Sequence, residues 1–404
     1  MSFGFAGRLG LFYAATFLMT GIKVTYLPVW LDWRGLSAVE ISWIGATPLF
    51  LRLVATPLIA YAADRYEAHR AVLIGLAWAA VGVLLLMTQA QGFAPILLLA
   101  LLLALSSTTI MPLTETIAMA GVRRDGHDYG RMRLWGSLSF IAAGYIAGWS
   151  VDRYGIGAAL VTLIAAAAAT GLAAHLMPNA PKDNAPKDTA PKDGQSGGAG
   201  GAIGNGPGSR RVAPGDVVAL LRQAPFVCFL LAAGAIQAAH AVFYTFGVLL
   251  WRQQALSTFT ISSLWAVGVI AEILLFAYSG PVVRTLCARG LLLAGGIAAA
   301  VRWTLMAFDP PLPALVVLQA LHGLTFGATH LGAVHFIAAN VPAAQAGTAQ
   351  ALHASVTAGV AMGLATLLAG WLYPEFGGRA YLAMAAISLA GVAAALAVRQ
   401  QPRP

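Results

Sequence analysis

Long apolar stretches alternate with short polar punctuation along this whole chain, and only one of the interruptions is long. A helix needs about 20 apolar residues to cross the hydrocarbon of a bilayer. Twelve such runs stand out, at roughly 8–31, 40–62, 70–90, 93–120, 131–152 and 156–177, and then at 222–251, 258–283, 289–308, 313–340, 345–373 and 378–399. The long polar interval, 178–215, separates the sixth run from the seventh. In it Ala-Pro-Lys-Asp recurs from Ala180, Ala185 and Ala190, and a Gly-rich tract follows and ends in Arg210 and Arg211. Proline removes donors and glycine raises chain entropy, so this interval reads as a flexible linker. The pattern predicts an all-α polytopic membrane protein with twelve transmembrane helices. They divide into an N-terminal six-helix half (1–177), a linker (178–215) and a C-terminal six-helix half (216–404).

Composition agrees. Of the 404 residues 59% are hydrophobic and 10% charged, where a soluble domain carries about a quarter charged. The net charge of +9 does not point to nucleic acid, because the basic residues fall in short connections rather than on a polar, aromatic face. The partner expected for the outer surface is the lipid bilayer. Seventeen of the 24 Lys and Arg residues fall on the side that carries the N-terminus and the linker, and four fall opposite. The bias predicts a multi-pass protein of a bacterial inner membrane with both termini cytoplasmic. The first run is long enough to span and lacks a small-residue cleavage site, so it is expected to remain as a helix. Cys228 and Cys287 have no metal-ligand spacing and no disulfide framework, so neither a metal nor a cofactor is expected. No nucleophile–base pair or HExxH appears, which argues against an enzyme.

Chemistry is sought among ionisable groups inside the spans, because a charge in lipid is costly and turns toward a cavity or a partner. The turn between spans 8 and 9 centres near 286–287, so Glu272 and Arg302 fall at equal depth. The turn at Asp309–Pro313 brings His322 to the depth of Arg302, and His240 on span 7 is comparable. An acid, a base and two histidines at one level read as a proton-handling cluster, with a static ion pair between spans 8 and 9 as the alternative. Glu115 and Arg133 are each nine residues from position 124 and pair in the same way; alternatively Arg133 is a membrane-edge anchor. Lys23 and Arg52 make the interior charge positive, which favours an anionic solute. His330 lies near the face of His322 and toward the cytosolic side, His335 points away to pack, and His353 has no evident partner. Gly136, Gly144 and Gly148 in span 5, and Gly359, Gly363 and Gly370 in span 11, predict close and smooth contacts between halves.

Three stretches carry a family resemblance: the 2–3 loop from Ala60 through Asp64 and Arg65 to Arg70, Tyr129–Ser137, and Leu321–Gly327 with His330. With the six-plus-six plan they resemble the major facilitator superfamily, in particular its phenylpropionate permease branch, which is related to lactose permease. The resemblance implies proton-coupled symport of a small organic anion, such as an aromatic carboxylic acid, by alternating access in a monomer. It puts substrate contacts at Glu115 and Arg133, and a ring-stacking position at Phe140 where lactose permease has tryptophan; Lys23 and Arg52 join them from the charge argument. It puts proton coupling at Glu272, Arg302 and His322, which His240 and His330 join by depth and face, and a gating loop at Asp64 and Arg65. Thr325 stands where lactose permease has its proton-carrying glutamate, which leaves Glu272 as the acid of the C-terminal spans. Proton-coupled sugar or nucleoside uptake and drug/proton antiport remain as alternatives. So does a transport-inactive receptor.

Overall fold

With water excluded, backbone groups in a bilayer must bond within their own segment, and the chain answers with helices almost throughout. The structure is a computed structural model that describes residues 4–66, 68–178 and 214–398. The predicted linker lies outside the described residues except at its edges. The N-terminal half contains α1 (Phe5–Trp33), α2 (Ala38–Arg65), α3 (His69–Gln89), α4 (Phe93–Asp125), α5 (Tyr129–Tyr154) and α6 (Ala158–Leu176). The C-terminal half contains α7 (Ala224–Gln253), α8 (Thr258–Ala277), α9 (Ala288–Met306), α10 (Leu312–Asn340), α11 (346–376) and α12 (Tyr381–Ala397).

Ten helical runs are long and apolar enough to cross a membrane, or eleven when the short helix Ser279–Thr285 is joined to α9, from which it is bent by 105°. One of the ten is Ala343–Ala397. As one straight helix its 55 residues would measure about 80 Å, more than twice the hydrocarbon thickness. Gly377, with φ +52°, divides it into α11 and α12, and the passes number twelve among the described residues. Large apolar side chains such as Leu86, Leu98, Val161, Leu172, Val317 and Trp371 stand exposed on the outside, as a lipid-facing surface requires.

Two of the short turns far from the linker share one construction. In the α1–α2 turn Gly35 takes φ +81°, Leu36 N–H donates to Leu31 O, and the Ser37 hydroxyl caps α2. In the α7–α8 turn Ala255 takes φ 58°, Leu256 N–H donates to Trp251 O, and the Ser257 hydroxyl caps α8. Leu-Ser-x-x-x-Ile-Ser occurs at both places, from Leu36 and from Leu256. These hairpins are an internal repeat of the kind transporter halves are built from, and they place Arg52 of α2 in register with Glu272 of α8.

The halves meet along two matching seams. Ser42 and Gly45 of α2 pack on Gly370 and Thr366 of α11, and Phe50 and Leu53 on Gly363 and Gly359. On the other side Gly144 and Gly148 of α5 face Ser262 and Thr258 of α8, and Tyr145 OH lies 3.0 Å from Ser263 Oγ. The Thr258 hydroxyl also donates to Asp152. A β-carbon on Gly144 or Gly148 would stand 3.3 or 3.1 Å from those neighbours, which is why small residues occupy the seams. Gly136 differs from expectation: it faces Phe17 of its own half.

Four passes are interrupted in ways hydropathy does not announce. α4 breaks at Thr108–Thr109 and α7 at Ala239–His240. α10 over Gly323–Ala328, and α11 over Val356–Ala361, widen to i→i+5 bonding. Such widened turns free backbone groups and tend to occur at functional sites.

Candidate functional site

Between the halves lies a cavity of about 1020 Å³. The seams close it at the end away from the linker. At the linker end it reaches Asp128–Arg131 on α5 and Phe276–Ala277 on α8. Its charged wall residues are Lys23, Arg52, Arg131, Arg133, Asp128 and Glu272, and Arg131 is paired with Asp128 at 3.5 Å.

The wall contributed by the C-terminal half carries a connected polar network. Arg302 on α9 is fully buried. Its Nη1 donates to His322 Nδ1 at 3.2 Å and to Thr325 Oγ1 at 3.1 Å, and its Nη2 donates to Gln319 Oε1 at 2.6 Å. Its guanidinium also lies 4.5 Å from the Trp303 ring centroid and 5.0 Å from that of Phe243. A guanidinium only donates, so His322 Nδ1 must be the accepting nitrogen. The neutral ring then carries its hydrogen on Nε2, which lies 3.8 Å from Glu272 Oε2. His240, at the break in α7, has Nδ1 3.0 Å from Gln237 O and Nε2 3.0 Å from Thr325 Oγ1. A carbonyl only accepts, so His240 bears its hydrogen on Nδ1 and takes the Thr325 hydroxyl hydrogen on Nε2.

The contacts run from Glu272 at the cavity, 3.8 Å from His322 and so beyond hydrogen-bond reach, through His322 to Arg302, and on through Thr325 to His240. Thr325 Oγ1 also lies 3.5 Å from His322 O, and Arg302 Nε has no hydrogen-bond partner among the described residues. The residues that the depth argument grouped lie together, but Glu272 and Arg302 do not touch. His322 stands between them, and neutral acceptors take the two Nη groups of the buried cation beside the Trp303 and Phe243 rings. Gln319 escaped the sequence reading. Its spacing to His322, Phe326 and His330 follows the i, i+3, i+7 stripe of one helix face and was the available signal. His330 also lines the cavity, stacked near Phe326 and edge-on to Phe276. His335 bonds to Leu331 O at 2.9 Å and His353 stacks on Phe229.

The wall of the N-terminal half is built differently. Lys23 and Arg52 both line the cavity, close enough for the Arg52 charge to act on Lys23. Among the described residues neither has an ion-pair or hydrogen-bond partner. Arg133 lines the cavity over the Phe17 ring, 3.9 Å from its centroid. Glu115 does not meet the expectation of a cavity ligand. It is 5% exposed, behind the wall, with the Tyr13 and Tyr129 hydroxyls beside it and Oε2 left without a hydrogen bond. No ion pair joins it to Arg133 among the described residues. Phe140 lines the cavity and faces Trp265 across the halves at 6.3 Å. Asp64 and Arg65 lie at the linker end of α2, away from the cavity, where Asp64 pairs with His69 at 2.7 Å.

Comparison with known proteins assigns the family. The model of the MFS_1 like family matches residues 7–383. The chain belongs to this family. It is similar to the probable 3-phenylpropionic acid transporter of Escherichia coli (strain K12), with 30% identity over 393 residues and 94% of each chain covered. It is also similar to the maltose permease of Geobacillus stearothermophilus, with 29% identity over 405 residues covering 97% of this chain and 94% of that one. The crystal structure of the nucleoside transporter NupG superimposes with a TM-score of 0.80 at 16% identity, over 98% of this chain and 99% of that one, which is a likeness of fold. The family member described here is thus a multi-pass secondary transporter of a small molecule, not an enzyme.

Proposed function

We propose that this transporter carries a small organic anion, an aromatic carboxylic acid, in symport with a proton across a bacterial inner membrane. The observation that carries the reading is the pair Lys23 and Arg52, two cations side by side on the cavity wall with no acid to answer them. An uncompensated charge away from water is costly, and a carboxylate relieves it with charge-assisted hydrogen bonds. Phe140, Trp265 and Tyr244 supply ring faces at the same level. The 3-phenylpropionic acid named for the E. coli relative has this combination of carboxylate and ring. Sugar uptake, in contrast, leaned on Glu115 with Arg133, and Glu115 is withdrawn from the cavity.

Glu272 is the proton carrier in this account. It meets both the cavity and His322, and it lies within electrostatic reach of Arg133 on the opposite wall. With the linker on the cytoplasmic side, as the Lys and Arg bias expects, the cavity is open inward and Glu272 delivers its proton there. His322 donates Nε2–H toward the carboxylate while Arg302 holds its Nδ1, so reprotonation and the Arg302 contact compete for one ring. A single molecule contains both halves of the cavity, consistent with a monomeric unit.

The test is uptake of labelled 3-phenylpropionate into proteoliposomes. An inward proton gradient should drive accumulation above equilibrium, and an ionophore that collapses the gradient should abolish it. Uptake that is saturable but indifferent to the gradient would remove proton coupling. No uptake beside active transport of maltose would remove the anion.

A further inference from the structure

The cavity has an apolar extension inside the N-terminal half, and its place in the fold follows from the internal repeat. Three helix stripes line it. On α1 the stripe is Lys23, Leu27 and Leu31; on α2 it is Arg52, Leu49, Ile44 and Ile41; on α4 it includes Leu103. Each runs with the i, i+3, i+4, i+7 spacing of one helix face. Polarity changes abruptly along them. Lys23 and Arg52 stand at the mouth, and every lining residue of α1 and α2 from there toward the closed end is apolar; the facing half adds Thr245 and Thr366. Leu27 and Leu49 are half-buried walls, while Leu31, Ile41, Ile44 and Leu103 are buried and make a floor. From Lys23 to Leu31 the rise along α1 is about 12 Å.

In the C-terminal half two rings occupy the equivalent place. In the register set by the two Leu-Ser turns, Lys23 corresponds to Phe243 and Gly45 to Trp265. Phe243 and Trp265 stack at 4.6 Å and fill the gap between α7 and α8. Where that indole stands, α2 has a glycine, and Pro28 and Pro48, which kink helices by removing a bond, line the extension on α1 and α2.

We infer that this extension is a subsite for the apolar body of an amphipathic acid, whose carboxylate sits at Lys23 and Arg52 and whose tail points into the N-terminal half between α1, α2 and α4. The inference rests on the anion reading above and adds to it an orientation and a length limit. The substrate class becomes a carboxylate with an unbranched or singly ringed apolar tail, and Leu49 and Leu103 become specificity-determining residues. The proton network on the far wall is left free of the tail. The Phe140–Trp265 pair then bounds the cavity beside the carboxylate rather than holding the ring.

Calorimetric titration of the purified transporter with the series from benzoate to 5-phenylpentanoate tests this, with succinate as an anion lacking an apolar body. Affinity should rise about fourfold per methylene until the tail meets the floor, and then fall. Leu49→Trp should move the optimum to a shorter acid and Leu49→Ala to a longer one, with succinate bound weakly by all three proteins. A flat profile, or one that shifts with Phe140→Ala and not with Leu49, would overturn the subsite and leave the anion reading standing. Failure of every acid to bind the wild-type protein would overturn both.

Discussion

The first hairpin of each half is one design used for opposite ends. α1–α2 and α7–α8 share a turn, a serine cap and a cavity-facing stripe, and at the same register they present Arg52 and Glu272. Around Arg52 the wall is open: among the described residues two cations lack acceptors, and a glycine leaves room. Around Glu272 the wall is largely filled: Arg302 has three acceptors, although its Nε has none among the described residues, and Phe243 and Trp265 stack across the gap. Unpaired cations invite a ligand, whereas linked donors and acceptors can hold and pass hydrogens. On the function proposed above, the N-terminal wall is the substrate side and the C-terminal wall the proton side.

Substitutions of equal size on the two walls should separate these roles. Arg302→Met should have the largest effect. It strands Gln319 Oε1, His322 Nδ1 and Thr325 Oγ1 in the interior, at about 1–3 kcal/mol for each unsatisfied group. A melting temperature several degrees lower in detergent, with transport lost, is the expected result. Lys23→Met and Arg52→Met should behave in the opposite way, because neither cation has a partner to strand. Thermal stability should be unchanged or raised, while affinity for 3-phenylpropionate falls roughly ten- to a hundredfold, the value of a charge-assisted hydrogen bond. Equal destabilisation by both sets of changes would erase the distinction.

Thr325→Val sharpens the comparison within the proton side. The isosteric change deletes the hydroxyl that accepts from Arg302 and donates to His240, so stability should fall by about 1–3 kcal/mol. Substrate affinity should hold, measured by binding under conditions where the protein stays folded. The smallest effect is expected at Asp64→Asn. Its pair with His69 is exposed on the carboxylate side, and such pairs contribute about 1 kcal/mol or less. A large loss of stability there would give the 2–3 loop a structural weight that its geometry does not.

Much of this was legible in the chain. Twelve passes follow from hydropathy, and turn positions alone set Glu272, Arg302, His322 and His240 at one depth, because helix rise converts sequence distance into depth. What depth cannot give is azimuth and intervening groups, so His322 between Glu272 and Arg302 emerged only from packing. Glu115 was misplaced for the same reason: Tyr13 reaches it from α1, a contact no hairpin argument contains. The breaks at Thr108–Thr109 and Ala239–His240 leave hydrophobicity unchanged and so leave no trace in the pattern. The repeat from Leu36 and Leu256 was present in the letters, and with it the exchange of Gly45 for Trp265. Its two halves lie far apart in sequence, and only the matched turns made the register plain.

The division of labour stands or falls on Glu272. Glu272→Gln keeps the shape and the hydrogen-bonding reach of the protonated acid but cannot release a proton. In proteoliposomes the variant should fail to accumulate 3-phenylpropionate against an imposed pH gradient. It should still exchange labelled for unlabelled substrate at near the wild-type rate, since exchange needs no net proton movement. Full gradient-driven accumulation by Glu272→Gln would contradict the account, and loss of exchange together with accumulation would place Glu272 on the substrate side instead.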